Sequence, residues 1–247
     1  MLAKLKKTYR ELGTADTLLY MLDKALVKLT FNSLLIHKYY ITRQPVTSSL
    51  SVPATKALDI EIKQLASDDP VLKEMDRPST TLQQRYALGG HCFAAFKKDQ
   101  FAGNLWLNFD QYQEDEVRCR YILQPTGHAA WDYDVFVMPK YRFSYVFAKL
   151  WDHANQVMHS RGIRYVYSRI NYYNISSLQS HKRLGSLVYG TVYFINIGSM
   201  QLMFSRHFRP FLQLTTRRAE FPALYISEYT KRISEDPKSI SEDNKSE

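Results

Sequence analysis

The chain has 247 residues, of which 45% are hydrophobic, and this predicts a globular protein with a sizeable core rather than a disordered chain. Its 33 Lys and Arg residues exceed its 24 Asp and Glu residues, and the net charge of +9 favours polyanionic partners such as phosphates, nucleic acid or an anionic membrane surface. Two cysteines, Cys92 and Cys119, are too few for a disulfide framework. Because no apolar run reaches the roughly 18 residues that span a bilayer, and no signal peptide is recognisable, we expect a cytoplasmic protein.

Residues 1–54 are predicted to form an N-terminal extension that begins with a basic amphipathic helix. Over residues 14–29, apolar side chains recur at helical spacing on one face, and four basic residues precede them: Lys4, Lys6, Lys7 and Arg10. Such a helix can lie on an anionic membrane, which makes peripheral membrane contact an alternative. We favour the interpretation that the face formed by Leu18, Leu22, Ala25 and Leu29 docks on the protein's own core.

The chain then alternates between strand-like and helical segments. Residues 31–46 are rich in β-formers and predict an extra strand or an arm, and residues 47–55 form a Ser/Thr/Pro linker that we take as the boundary of a main domain at residues 55–232. That domain is predicted to contain a strand at 58–65, short helices at 70–75 and 78–88, a hairpin of 92–96 with 101–109, and a strand at 117–123. Residues 233–247 are acidic and nearly duplicated, which predicts a disordered tail.

Residues 131–185 form the segment most suggestive of function. They predict a strand at 131–138, a turn ending at Arg142, a helix at 147–159, a strand at 165–170, and a polar helix that starts after Asn174. A strand that leads through an arginine-bearing turn into a helix N-terminus can hold an anion, because the first N–H groups of the helix are unpaired. The order of elements from residue 58 predicts an α+β fold with a mixed sheet.

The residues Val135-Phe-Val-Met-Pro-Lys-Tyr-Arg142, the following helix and strand, and Asn174-Ile-Ser-Ser177 resemble the GNAT superfamily of acyl-CoA N-acyltransferases. The resemblance covers roughly residues 58–205. It implies a mixed, mostly antiparallel sheet flanked by helices. It also implies transfer of an acetyl or other acyl group from acyl-CoA to an amine acceptor, by direct attack in a ternary complex and without a metal.

Carried over to this chain, the resemblance places Phe136 and Val137 beside the pantetheine arm of the cofactor and Asn174 within its reach. The pyrophosphate would be held by the loop and helix start at Arg142, Phe143, Ser144, Tyr145, Val146 and Phe147. The family has glycine where this chain has Tyr145 and Phe147, because a backbone close to a phosphate leaves no room for a side chain. Either the loop is shaped around an unusual donor, or the fold is a non-catalytic binding or assembly module without CoA.

Three residues are candidates for proton transfer. Family members often carry a tyrosine that protonates the departing thiolate seven residues after the asparagine, and here that position holds His181, which can donate a proton near neutral pH. Tyr172 and Tyr173 are alternative donors, and we retain Tyr173 as a candidate. Asp132 and Asp134 are two apart on the strand, so we expect them to share one face, and we take Asp134 as the candidate base.

Other chemistries have less support. His153 and His159 lie six apart on the predicted helix, not on one face, so a metal pair is not expected. A basic and aromatic segment at residues 206–218 is typical of some single-strand nucleic-acid binders, but no recognisable module surrounds it. We expect that segment to form mostly a surface helix and regard nucleic-acid binding as the least supported function.

Overall fold

The structure is a computed structural model that describes residues 2–228, with side chains for residues 9, 10 and 12–228. Four α-helices occur in this range: α1 (Leu2–Leu29), α2 (Ser79–Ala87), α3 (Val146–Ser160) and α4 (Ile175–Arg183). The strands are β1 (Leu34–Pro45), β2 (Ile60–Leu65), β3 (His91–Lys97), β4 (Gln100–Phe109), β5 (Gln111–Gln113), β6 (Arg120–Gln124), β7 (Ala129–Val137), β8 (Tyr165–Asn171), β9 (Leu187–Ile197), β10 (Met200–Ser205), β11 (Leu212–Thr215) and β12 (Ala223–Ser227). The predicted tail at residues 233–247 lies outside the described residues.

Nine of the strands form one sheet, in the order β11-β10-β9-β1-β8-β7-β4-β3-β2. All neighbours in it are antiparallel except β7 and β8. A second sheet has the order β12-β6-β5. The predicted α+β class with a mixed, mostly antiparallel sheet flanked by helices is therefore confirmed.

Each face of the large sheet carries its own core. On one face, α3 buries Leu150, Ala154 and Met158, which recur every fourth residue and pack with apolar residues of β3, β4 and β7. Burial of a side chain of leucine size contributes about 1.5–3 kcal/mol. On the other face the small sheet covers Trp131, which stacks on Tyr121 with ring centroids 4.2 Å apart.

Strand β1 lies inside the large sheet, between β8 and β9. Its Tyr39 and Ile41 are fully buried in the same cluster as Trp131. The segment after β1, which the sequence suggests is a linker, is held against α3 because Asp152 accepts hydrogen bonds from the backbone N–H groups of Ser51 (2.8 Å) and Val52 (3.0 Å). Residues 34–52 therefore supply an interior strand of the large sheet and a segment that is hydrogen-bonded to α3.

Helix α1 contains a break at Gly13, where φ is 74°. Beyond the break it is attached to β1 by polar groups: Asp16 accepts from Lys38 Nζ (2.6 Å), and Asp23 accepts from the backbone N–H of Ile36 (3.1 Å). The prediction that its leucine face docks on the core is wrong, since Leu18, Leu22, Ala25 and Leu29 are all exposed. The side of the helix that carries Asp16 and Asp23 faces β1 instead, because these two residues bind groups on that strand. No helix in the described part of the chain is long and apolar enough to cross a membrane.

The basic segment at residues 206–218 is a loop followed by β11, so the prediction of a surface helix there is wrong. Pro210 lacks the N–H that a helix interior requires. After it, the alternation of Leu212 and Leu214 with polar residues suits a strand, and β11 pairs with β10 from Leu212 to Thr215.

Candidate functional site

The parallel strands β7 and β8 separate part of the way along their length. They are paired from Ala129 opposite Tyr165 to Asp132 opposite Ser168. Beyond that point β7 remains paired with β4 as far as Val137, while β8 remains paired with β1. A gap therefore opens between them. Because the strands are parallel, their carboxyl ends lie at the same end of the sheet, and the chain continues from there into α3 after β7 and into α4 after β8. Two helix N-termini with their partial positive charges lie at the mouth of this gap.

A β-bulge shapes the β7 side of the gap. Between the pairs Trp106/Tyr133 and Asn104/Phe136, β4 contributes one residue and β7 contributes two, and Asp134 has a positive φ of 50°. Asn104 donates a hydrogen bond to the carbonyl of Asp134 (2.7 Å) and fixes the irregular backbone. Close approach of β4 needs Gly103 here, since a Cβ on it would lie 2.4 Å from the carbonyl oxygen of Phe136.

The bulge places Asp132 and Asp134 on different sides of the sheet. Asp132 faces α4 and accepts from Ser168 and His181, whereas Asp134 faces α2 and accepts from Arg85. The prediction that the two carboxylates share one face is wrong, because a two-residue period holds only in a regular strand.

A cavity of about 490 Å³ lies on the Asp134 side of the sheet. Its aromatic lining comes from Tyr112, Trp131 and Tyr133. Its charged lining consists of three arginines and four acids: Arg77, Arg85, Arg169, Glu114, Asp115, Glu116 and Asp134. Acids therefore exceed arginines by one around this cavity, in a chain that is strongly basic as a whole.

Arg85 connects three elements beneath the cavity. From α2 its guanidinium donates to Asp134 on β7 (2.5 Å) and to Asp115 after β5 (2.6 Å). The more exposed Arg77 donates to both oxygens of Asp134 (2.9 and 3.0 Å). Both oxygens of Asp134, the predicted base, thus accept hydrogen bonds from guanidinium groups.

A second ion-pair group lies at the β8 side. Arg169 donates to both oxygens of the buried Glu114 (2.5 and 3.0 Å) and to Glu116 (3.1 Å), and its guanidinium lies over the ring of Tyr39 (4.3 Å). Burial alone would raise the pKa of Glu116, but the charge of Arg169 and hydrogen bonds from Tyr39 and Arg169 outweigh it and lower that pKa.

Sequence reasoning missed both ion-pair groups. The acids at residues 114–116 look like an ordinary charged turn. The usable signal was an arginine between mostly buried residues of β8, because a guanidinium that is only 16% exposed requires carboxylate partners.

His181 is 5% exposed and lies outside the cavity lining. Its Nδ1 contacts the carbonyl of Ser177 (2.9 Å) and its Nε2 contacts Asp132 (3.3 Å), which in turn accepts a hydrogen bond from Ser168. Burial alone would lower the pKa of His181, but the hydrogen bond and charge of Asp132 outweigh burial and raise it. Both ring nitrogens are therefore engaged within the protein.

The two tyrosines after β8 differ in exposure. Tyr172 is buried, whereas Tyr173 is half exposed and packs edge-on against Tyr20 of α1, with centroids 5.8 Å apart. Burial, together with the nearby charges of Glu116 and Asp23, raises the pKa of Tyr173, so its hydroxyl stays protonated at neutral pH.

The loop before α3 exposes some of its predicted cofactor residues and buries others. Arg142, Phe143 and Tyr145 are exposed, and Ser144 donates to the carbonyl of Tyr141 (2.7 Å). Val146 is fully buried in the α3 core.

The remaining predicted cofactor residues are less exposed or serve local structure. Phe147 packs near Trp151 in the α3 core, and Phe136 and Val137 are half-buried at the end of β7. Asn174 lines the cavity and caps α4, with its side-chain oxygen accepting from the backbone N–H of Ser177 (3.2 Å). Among the side chains that the structure describes, no three His, Cys, Asp or Glu residues form a group that could hold a metal ion.

No protein-family model matches the sequence, and no curated protein matches it. Among solved structures, the chain is similar to a functionally unknown conserved protein from Staphylococcus epidermidis, with a TM-score of 0.51 and 12% identity over 71% of this chain and 67% of that one. It is also similar to a putative GNAT-family acetyltransferase from Novosphingobium aromaticivorans, with a TM-score of 0.45 and 17% identity over 64% of this chain and 62% of that one.

A third similar structure is a GNAT-family acetyltransferase from Elizabethkingia anophelis with acetyl-CoA bound, with a TM-score of 0.39 and 12% identity over 51% of this chain and 74% of that one. The match spans less than two thirds of the Novosphingobium protein. At these identities the comparison concerns the fold alone.

Proposed function

We propose that the chain is an N-acyltransferase that moves an acetyl or other acyl group from acyl-CoA to an amine. The observation that carries this proposal is the gap between β7 and β8, which has two helix N-termini at its mouth and a polar cavity on one side. Main-chain groups of two diverging strands can bind an amide-rich chain such as pantetheine, and helix N-termini favour its phosphates.

The donor would enter along the end of β7, beside Phe136 and Val137, with its pyrophosphate at the loop that contains Arg142. Tyr145 and Phe147, which stand at the family's glycine positions, do not close this route for the donor. Phe147 turns toward the α3 core, and Tyr145 is exposed rather than folded over the loop. Contact with phosphate would then come from the guanidinium of Arg142 and from main-chain N–H groups at residues 143–147.

The acceptor amine would lie in the cavity, where the excess of carboxylates favours a cation. In the proposed step the bound ammonium first loses one proton to water or to a cavity carboxylate, and Asp134 orients the resulting amine. The amine nitrogen then attacks the thioester carbonyl carbon, the C–S bond breaks, and the thiolate takes a proton from the hydroxyl of Tyr173. The second proton that the nitrogen loses returns through water to the tyrosinate. His181 serves as a positioning residue that holds α4 on β7. Placing both reactants on one scaffold supplies much of the rate.

The first test is ligand-induced stabilisation. A ligand present at about 100 times its Kd raises the free energy of unfolding by about 2.7 kcal/mol, so acetyl-CoA and longer acyl-CoAs are to be titrated in thermal-shift and calorimetric experiments. We expect Arg142→Ala to weaken binding about tenfold, as loss of one charged contact to phosphate would do. Arg161→Ala, at the opposite end of α3, is the matched control and should bind normally.

The second readout is release of CoA thiol in the presence of a panel of amines. We expect Tyr173→Phe to bind acyl-CoA normally and to lose at least about tenfold in turnover, because a general acid typically contributes 10²–10⁴-fold. Tyr225→Phe, an exposed tyrosine on β12, is the control. Normal turnover in Tyr173→Phe would remove that residue from the mechanism.

The alternative is a non-catalytic module that keeps the fold without the cofactor. Two observations favour it: the loop at residues 142–147 contains no glycine, and the cavity acids Asp134, Asp115 and Glu114 are already paired with arginines. Absence of stabilisation by every acyl-CoA at concentrations well above micromolar would select this alternative.

A further inference from the structure

The side of α1 that faces solvent is apolar. Five of its residues recur at helical spacing and are all exposed, with Leu22 at 51% and Leu29 at 74% exposure: Leu18, Met21, Leu22, Ala25 and Leu29. Phe31, directly after the helix, is 90% exposed. We call the five helical residues the leucine stripe. Within the described residues nothing covers it.

The leucine stripe points away from the sheet. On the other side of α1, Tyr20 reaches Tyr173, which follows β8. Tyr20 lies on the same side of the helix as Asp16 and Asp23, which bind β1, so the opposite side of α1 points away from β1. Leu18 and Leu22 each lie about 160° around the helix axis from Tyr20.

The sheet surface beside α1, on the same face, is also apolar, and no described residue covers it. On β10, Leu202 lies opposite Ile195 of β9 and Leu214 of β11, and Phe204 lies opposite Leu212. These five side chains are exposed or half-exposed, and Leu212 and Leu214 are 63% and 58% exposed. The leucine stripe, which we call the wall, and these five residues, which we call the floor, lie on the same face of the large sheet, and we call the two together the apolar trough. Contiguous apolar surface of this kind marks an interaction site.

The charges around the floor are positive. Arg206 continues the outward alternation of β10 after Phe204, and three more exposed arginines flank β11: Arg209, Arg217 and Arg218. The sequence contains no acidic residue between Asp152 and Glu220. The floor of the trough is therefore bordered by four cations, of which Arg217 is paired with Glu220 (3.6 Å).

The charges around the wall have the same sign. Beyond the break at Gly13, Lys24 and Lys28 are exposed on α1, whereas Asp16 and Asp23 point to β1, where they bind Lys38 and the backbone of Ile36. This part of the helix therefore presents lysines to solvent beside its apolar stripe, although it carries two acids. An apolar stripe beside lysines is the pattern of helices that lie on anionic membranes.

We propose that the apolar trough docks the protein on a membrane surface that carries anionic lipids. The leucine stripe and Phe31 enter the boundary between headgroups and acyl chains, and the surrounding lysines and arginines contact the headgroups. A second copy of the chain is a poorer occupant, because trough against trough would bring the lysines and arginines of both copies together. The proposal uses no residue of the gap or of the cavity and is independent of acyl transfer.

The test is flotation of the full chain with phosphatidylcholine vesicles, with and without about 30% phosphatidylserine. We expect binding to the anionic vesicles that weakens as salt rises, and little binding to phosphatidylcholine alone. Leu22→Glu combined with Leu29→Glu should weaken vesicle binding at least about tenfold, because both side chains would carry charge into the acyl boundary. Leu214→Glu should also weaken it, which tests the floor.

The matched control is Leu58→Glu, since Leu58 is 81% exposed and precedes β2 at the far edge of the sheet. It should bind like the unchanged protein, and all variants should keep the same circular dichroism and melting temperature. Binding that is absent, insensitive to phosphatidylserine, or unchanged in the double variant would overturn the proposal. Light scattering that shows a dimer abolished by the double variant, without vesicle binding, would assign the trough to a second copy.

Discussion

At the scale of single residues, the contact between His181 and Asp132 joins α4 to β7 next to the point where β7 and β8 part. Neither ring nitrogen of His181 is free, and for this reason we propose that the residue holds position rather than transfers a proton. The resemblance described above points to this residue, seven positions after Asn174. It did not reveal the partner, because Asp132 is far along the chain and its side depends on the bulge that follows it.

This contact makes stability depend on pH in a defined direction. The pKa of His181 is raised in the folded protein, so the stability it contributes is complete below its unfolded pKa of about 6.5 and is lost as pH rises through the folded value. We expect urea unfolding between pH 6 and 8 to show this decline in the unchanged protein. His181→Asn and Asp132→Asn should each reduce it. If stability declined with pH as much in both variants as in the unchanged protein, the assignment to His181 and Asp132 would be contradicted.

At the scale of elements, the cavity depends on one buried cation that connects α2, β7 and the loop after β5. Arg85 is 5% exposed and lies against Trp106 and Tyr133 while it binds Asp115 and Asp134. The helices and most strands of this region follow from periodicity and turn residues in the sequence. The ion pairs do not, because each is made between residues that only the tertiary fold brings together.

The two arginines on Asp134 should differ greatly in their effect on stability. We expect Arg85→Met to lower the free energy of unfolding by about 3–5 kcal/mol, because two carboxylates lose a buried partner. Arg77→Met should cost at most about 1 kcal/mol, since Arg77 is largely solvated and its salt bridge is screened. Chemical denaturation of both variants measures the difference. If both substitutions lowered the free energy of unfolding equally, Arg85 would not be the residue on which the cavity depends.

At the scale of the whole molecule, contacts that composition does not reveal attach the N-terminal segments to the rest of the fold. The Ser/Thr/Pro segment at residues 47–55 has the composition of a linker, yet Asp152 binds its backbone and Val52 is buried. The sequence likewise left open whether β1 is an extra strand or an arm. Its position between β8 and β9 depends on long-range pairing, which local sequence pattern does not encode. Fold class follows from the order of elements, whereas strand order does not.

Truncation separates these parts of the N-terminal region. Removal of residues 2–13, which end at the break in α1, should leave a folded protein with a melting temperature close to that of the full chain. Removal of residues 2–45 takes away β1, leaves β8 and β9 without their shared partner, and should abolish cooperative unfolding. Calorimetry of the two truncated proteins checks this. A cooperative transition in the shorter protein would mean that the sheet closes without β1.

The position of β1 also governs the order of events when the chain is made. The ribosome releases β1 early, but its partners come much later, since Leu34 pairs with Ile197 and Tyr39 with Asn171. Through most of synthesis, β1 therefore has an apolar face but no neighbouring strand, and such exposed strands promote aggregation. Contacts between residues so distant in sequence also slow folding. We therefore expect the large sheet to close only after β9 has been released, and chains stalled before that point to depend on chaperones to stay soluble.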